Sequence, residues 1–192
     1  TSINEYAAVS LVSNLIYALT GTLGIITLTL NIMGSKMLGQ NKMKDYGDLF
    51  STIITLVVIL GILIVGFNLL LGRLVLCQVF HMTGNMLNQA YAYLSIAGFG
   101  LGLNMILFVF SSFFKSIEKT KVILLSTTLS SMLNLLIDYL LVFGKFGFPR
   151  LGVVGAALGT TIGLSVNVVI YILYFKKVSV FSLKFYMVTA YL

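Results

Sequence analysis

KVILLSTTLSSMLNLLIDYLLVFGKFGFPRLGVVGAALGTTIG, residues 121–163, holds the only acidic side chain of this chain that lies inside an apolar run. Asp138 is flanked by Leu135, Leu136, Ile137, Leu140 and Leu141, whereas Glu5, Asp45, Asp48 and Glu118 stand near the chain start or among lysines in polar connections. The apolar runs on either side of the loop GKFGFPRLG (144–152) are each long enough to cross a bilayer, whose hydrocarbon core of about 30 Å takes about 20 residues of helix. Two such helices joined by a short loop of glycines and Pro149 lie side by side and antiparallel. The stretch therefore reads as a transmembrane helical hairpin with one carboxyl group inside the membrane.

The rest of the chain agrees. Of its 192 residues 59% are apolar and 9% charged, and the mean hydropathy of +1.07 excludes a soluble domain. The net charge of +7 does not indicate nucleic acid, because the basic residues gather at the ends of apolar runs, where lysines meet lipid headgroups. Cys77 has no second cysteine to pair with, and one thiol with one histidine gives no zinc spacing. The chain opens with TSINEYAAVS, with neither a methionine nor a basic n-region, and reads as part of a longer protein.

Five runs qualify as membrane spans, at about residues 7–38, 49–72, 89–114, 122–143 and 153–175. The expected fold is all-α, a polytopic membrane helix bundle forming one unit over residues 1–192, multi-pass in the cell membrane and surrounded by lipid. The first run is longer than a span needs, so its outer part is either a turn or the end of a tilted helix. Its polar residues Ser13, Tyr17, Thr20, Gly24, Thr27 and Asn31 step by four and three and form one stripe, facing either other helices or a wet cavity. The second run is nearly all aliphatic and reads as lipid-facing. After it, residues 74–88 carry Cys77, His81 and Asn85 among apolar residues, a pattern for a short interfacial piece. The third run holds Gly98, Gly100 and Gly102 followed by Asn104, which permits close backbone approach or a bend.

Charge sets the orientation. With the first connection inside, the inner ends collect Lys36, Lys42, Lys44, Lys115, Lys119, Lys121, Lys176, Lys177 and Lys184, and the outer ends only Arg73, Lys145 and Arg150. This bias favours an extracytoplasmic start and a cytoplasmic end. Asp138 then lies seventeen residues beyond Lys121, roughly 25 Å up the helix and in the outer half of the bilayer.

Thr127, Ser131, Asn134 and Asp138 are spaced by four, three and four, so one face of the fourth span is polar. Placing an aspartate at the centre of a membrane helix costs about 2.5–3.5 kcal/mol on insertion scales, and such residues mark ion pathways or proton relays. A carboxyl group there is neutralised by a proton or by a cation, and the Asn134 oxygen beside it suits Na+. The bland alternative is a hydrogen bond to a neighbouring helix, or a side chain reaching for the outer interface. On the fifth span Gly155, Gly159 and Gly163 repeat every four residues as a packing seam, and Thr160 and Asn167 lie one heptad apart. Thr160 either presents its hydroxyl toward Asp138 or bonds its own i−4 carbonyl.

These residues carry a resemblance. LNLLIDYLLVFGKFGFPRLGVVGAALGTTIG (133–163) is similar to the segment joining the fifth and sixth helices of multidrug and toxic compound extrusion (MATE) transporters: LN, an interval, D or N, Y, then FG, G-x-P and GVxGAAxAT. AAVSLVSNL (7–15) resembles the start of that family's second helix, and LGQNKMKDYGDLF (38–50) its second-to-third connection. FKSIEKTK (114–121) departs from the family's LRGxGDTK, and GFGLG (98–102) lacks its proline, so the resemblance carries no subfamily or substrate.

The resemblance implies helices two to six of the first lobe of a two-lobe transporter, with the first helix and the second lobe outside this chain. It implies a secondary antiporter that exports cationic amphipathic drugs in exchange for Na+ or H+ by alternating access, with no cofactor beyond that coupling ion. By motif position Asn134, Asp138 and Thr160 look like members of the first-lobe cation site, with Na+ at Asp138 and Asn134 as the metal candidate. Thr127, Ser131, Thr27, Asn31 and Asn167 are candidates for lining the cavity. The alternative within the same superfamily is a flippase for lipid-linked oligosaccharide or a polysaccharide exporter. Such a protein calls for basic residues within the spans, and here every Lys and Arg lies at a span end. An enzyme is not expected, because no second acid or histidine shares a span with Asp138.

Overall fold

The structure is a computed structural model that describes residues 3–178; in the first helix the side chains of most residues before Gly24, Tyr17 of the polar stripe included, lie outside the described set, as does Lys184. The described chain is all-helical: α1 Ile3–Gly39, α2 Met43–Gln78, α3 Gly84–Ser116, α4 Thr120–Phe143 and α5 Val153–Lys177. Among the described residues α2 to α5 are each long and apolar enough to cross a membrane. The helix α1 runs unbroken over 37 residues, so its excess length belongs to one long helix and no turn interrupts it.

Residues 74–88 do not form a separate interfacial piece. Residues 74–78 complete α2 and residues 84–88 begin α3, leaving only 79–83 between them. Nothing in 74–78 breaks the helix, and Arg73 does not end it: its guanidinium donates to Asn88 Oδ1 across the turn at 3.4 Å. His81 occupies this turn with φ +52° and is exposed.

The helix α3 is the hub, touching α1, α2 and α5 broadly, whereas α4 packs on α5 and barely reaches α3. The three glycines of α3 explain how one helix serves so many partners. Gly98 faces Asn68 of α2, Gly102 faces Gly61 of α2, and Gly100 faces Thr161 of α5. Asn68, buried in the aliphatic second span, donates from Nδ2 to Leu94 O at 2.7 Å. Along the rest of α2, Leu56, Ile59, Ile62, Leu63, Phe67 and Leu70 remain exposed, as a lipid-facing surface requires.

Toward the lysine-rich ends of the helices the core is aromatic. Phe50, Phe110, Phe113 and Phe175 pack ring to ring with centroids 5.0–6.1 Å apart, and Tyr171 stands against Phe110 and Phe114. The buried Tyr46 hydroxyl is 2.7 Å from Ser116 Oγ, and its ring lies against Gly34 of α1, where a side chain would not fit. This cluster ties α1, α2, α3 and α5 together at one end of the bundle, and α4 joins it only through Val122 and Ile123 of its first turn, its remaining length being positioned mainly by α5.

Candidate functional site

Every fourth residue of α5 from 155 to 163 is glycine, and each meets the backbone or an adjoining atom of α4. A Cβ at Gly155 would stand 2.9 Å from the Leu141 carbonyl, one at Gly163 3.2 Å from Ser130 O, and one at Gly159 would overlap Asp138 Oδ1. Small residues at this spacing let two membrane helices approach until backbones touch. The approach is fixed by a hydrogen bond across it, Ser130 Oγ donating to Gly163 O at 2.6 Å.

Asp138 is half-buried, and its Oδ1, covered by the α5 backbone at Gly159, has no hydrogen-bond partner. One turn nearer the start of α4, Asn134 is also half-buried, and its Nδ2 donates to Thr160 Oγ1 at 3.3 Å. The carboxyl, amide and hydroxyl groups thus sit around one stretch of the α4–α5 contact. The back-bonding expected as an alternative for Thr160 is made by its neighbour, Thr161, which donates to Ala157 O at 2.8 Å and approaches Ile96 O at 3.3 Å. Among the described residues no three His, Cys, Asp or Glu side chains come together. Asn134 and Thr160, one turn away along the same contact, each carry a neutral oxygen, the ligand type that hard cations take.

Thr160 also borders a cavity of about 130 Å³ between α1, α3 and α5, where it joins Ser13, Thr20, Tyr93, Asn104 and Thr161. Ser13 Oγ and Tyr93 OH are 2.8 Å apart across it. The five residues singled out as cavity-lining from sequence do not border this pocket. Thr127 and Ser131 are exposed on the flank of α4, and Thr127 Oγ1 donates to Ile123 O at 2.6 Å. Thr27 is buried and bonds to Gly24 O at 2.7 Å, Asn31 is half-buried, and Asn167 is buried with Oδ1 unpartnered.

The reason is helical phase. The residues of α4 that meet the α5 glycines are Ser130, Asn134, Asp138 and Leu141, which continue the row of the buried Ser126. Thr127 and Ser131 are exposed beside that row. Ser126 and Ser130 were legible as an i, i+4 pair, and Ser13 and Thr20 belonged to the stripe of α1. Tyr93 and Thr161 carried no signal beyond being polar in an apolar run.

The comparisons with known proteins agree with one another. The MatE family model matches residues 2–140. A probable multidrug resistance protein NorM of Bacillus cereus is 30% identical over 147 residues, 74% of this chain and 31% of that protein. The protein of the same name from Thermotoga maritima is 37% identical over 87 residues, 45% of this chain and 19% of that protein. The chain thus spans about a third, or less, of these relatives' length. A solved structure described as the inward-facing conformation of a multidrug resistance MATE family transporter of the MOP superfamily superposes with a TM-score of 0.68 at 20% identity, covering 87% of this chain and 38% of that one; at that identity it speaks to the fold. With a family model matching most of its length and the same helical fold, the chain belongs to the MatE family, the multidrug and toxic compound extrusion proteins.

Proposed function

We propose that this chain forms part of a secondary active transporter that exports drugs or other toxic compounds across the cell membrane, coupled to inward movement of Na+ or H+. Family membership and the printed names of the relatives support drug efflux over the flippase reading and over an enzyme. The observation that carries the coupling role is the covered, unpartnered Oδ1 of Asp138 at the α4–α5 contact. An acceptor in that position lacks a hydrogen bond, a deficit that a proton on the carboxyl group or a cation shared with oxygens of Asn134 and Thr160 would relieve.

Binding of the ion would favour one packing of the α4–α5 pair over another, and a ligand shifts such an equilibrium only by its differential affinity for the two states. The exported compound would bind in a cavity completed by parts of the transporter beyond this chain, in which residues 1–192 contribute the first lobe from its second helix onward. Alternating access would then link ion release on one side to drug release on the other.

The test is Asp138→Asn in the intact transporter. Membrane insertion and expression should be retained, because the side chain keeps its size and loses its charge. Ion-driven efflux of a fluorescent cation from vesicles should fall to the rate of vesicles without transporter. Undiminished efflux would remove Asp138 from the coupling mechanism.

A further inference from the structure

At the extracytoplasmic end, the connection between α4 and α5 gathers aromatic and basic residues that the transport reading does not use. Phe146 is 86% exposed, and Phe143 and Phe148 are also largely uncovered. The Tyr139 and Phe143 rings lie 5.9 Å apart on the outer face of α4. Amphipathic and aromatic rings collect at the headgroup level of a bilayer, which places this loop at the membrane surface.

The loop is built rather than slack. Lys145 N–H donates to Leu140 O at 3.2 Å, Phe148 N–H to Lys145 O at 3.1 Å, and Leu151 N–H to Leu141 O at 2.8 Å. Gly144, at φ +65°, lies so close to Arg150 that a Cβ there would come within 3.0 Å of the Arg150 backbone nitrogen. Arg150 is thereby held over the outer end of α4.

Beside it runs a groove of about 690 Å³, lined by Val142, Leu151, Val154 and Ala156, with Arg150 and Gln89 as polar members. Neither residues 143–156 nor residues 73–89, the facing end of α2 and start of α3, contain an aspartate or glutamate. Of the other two cations at this end, Lys145 is exposed on the loop just outside the groove, and Arg73 is turned to the neutral oxygen of Asn88. The site is an apolar trough with Arg150 at its rim and no acid within the segments that form it, a chemistry that repels a cationic amphiphile and matches an anionic one.

We infer that this groove binds a phospholipid with an anionic headgroup, its phosphate against Arg150 and Lys145 and one acyl chain lying along Val142, Leu151 and Val154. A zwitterionic lipid presents the same phosphate but carries its own cation, so it gains less from the two basic residues. Bound there, the lipid ties the α4–α5 hairpin to the start of α3 through Gln89. The inference rests on membrane insertion and on the loop's geometry, and it is independent of drug efflux.

The test uses the protein in its natural length, purified in detergent with phosphatidylglycerol and phosphatidylcholine of matched acyl chains, retained lipid being read by native mass spectrometry. Wild type should retain phosphatidylglycerol over phosphatidylcholine by a factor on the order of fivefold per basic residue engaged. Lys145→Gln with Arg150→Gln should bring the ratio to that of bulk lipid, while Arg150→Lys keeps most of it. A phosphatidylglycerol with a photoreactive acyl chain should label residues 142–156, which reads the site without relying on a variant that folds. Equal retention of the two lipids by wild type, an unchanged ratio in the double variant, or labelling confined to other segments would overturn the inference. So would a crosslink from Val154→Cys to another protein segment, since that segment and not a lipid would then fill the groove.

Discussion

Leu135 and Leu136 turn outward beside Asp138, and the α5 backbone at Gly159 closes over one of its oxygens. The position of the carboxyl group thus depends on a residue with no side chain. Gly159→Ala places a methyl group where Asp138 Oδ1 lies, with the Asp138 backbone nitrogen only 3.2 Å from it, so the overlap cannot be relieved by a rotamer change alone. Overpacking of this kind costs about 1–3 kcal/mol. Gly159→Ala should lower the thermal stability of the purified protein and reduce ion-coupled efflux, whereas Gly66→Ala, with nothing within 4 Å of the added methyl, should do neither. Equal melting temperatures for the two variants would mean that the α4–α5 contact is looser than described. The need for a small residue at 159 was legible in the four-residue repeat; that the atom opposite it is the carboxylate oxygen was not, because a repeat gives spacing and not the register against the partner helix.

Among the elements, α2 and α3 are joined by an interlock that the sequence concealed. Asn68 stands in a run read as uniformly lipid-facing, yet its amide fills the space left by Gly98 and donates to Leu94 O. A buried polar side chain in a membrane helix is held by such partners, each contributing about 0.6 kcal/mol on average. Gly98→Ala cannot coexist with the Asn68 amide in its present place, so it should destabilise strongly, by about 1–3 kcal/mol. Asn68→Ala removes the obstacle as well as the hydrogen bond. The double variant should therefore be more stable than the sum of the single losses predicts, by at least 0.5 kcal/mol of coupling energy, about the lower bound for residues in contact. Denaturation of the four proteins in detergent measures this, and strict additivity would show that the two residues do not touch. The separate interfacial piece expected over 74–88 failed for a related reason: a hydrophobicity window ends at Arg73, whereas the helix ends where its hydrogen bonds do.

On the scale of the whole molecule, the positive charges separate by end, and this separation gives a prediction of orientation. Cys77 is exposed near the outer end of α2 and is the only cysteine. A membrane-impermeant maleimide added to intact cells should label it. In a Cys77→Ser background, Lys119→Cys at the opposite end should be labelled only after the cells are opened. The reverse pattern would invert the bundle and place the aromatic core cluster outside. The division of the bundle also matters for motion: the aromatic cluster binds α1, α2, α3 and α5 at the lysine-rich end, whereas α4 joins that core only through its first turn at Val122 and Ile123 and otherwise rests on α5. An ion acting at the α4–α5 contact would therefore act on the least anchored helix.

The sequence by itself determined that the chain is a membrane helix bundle, which helices are neighbours across the 144–152 loop, which end carries the positive charge, and that α5 has a seam of small residues. These follow from composition and spacing, because hydrocarbon leaves the backbone little choice but helix. Only the tertiary structure decided which polar residues share a site. Asn134 and Thr160 meet, Ser13 and Thr20 join Thr160 around a cavity, and Thr127 and Ser131 are exposed on the flank of α4. The period of a helix places side chains on one stripe, but the angle at which that stripe is turned to its neighbours is set by packing. Here it is set by glycines 155, 159 and 163 meeting the backbone of α4, a contact that spacing along one helix cannot register.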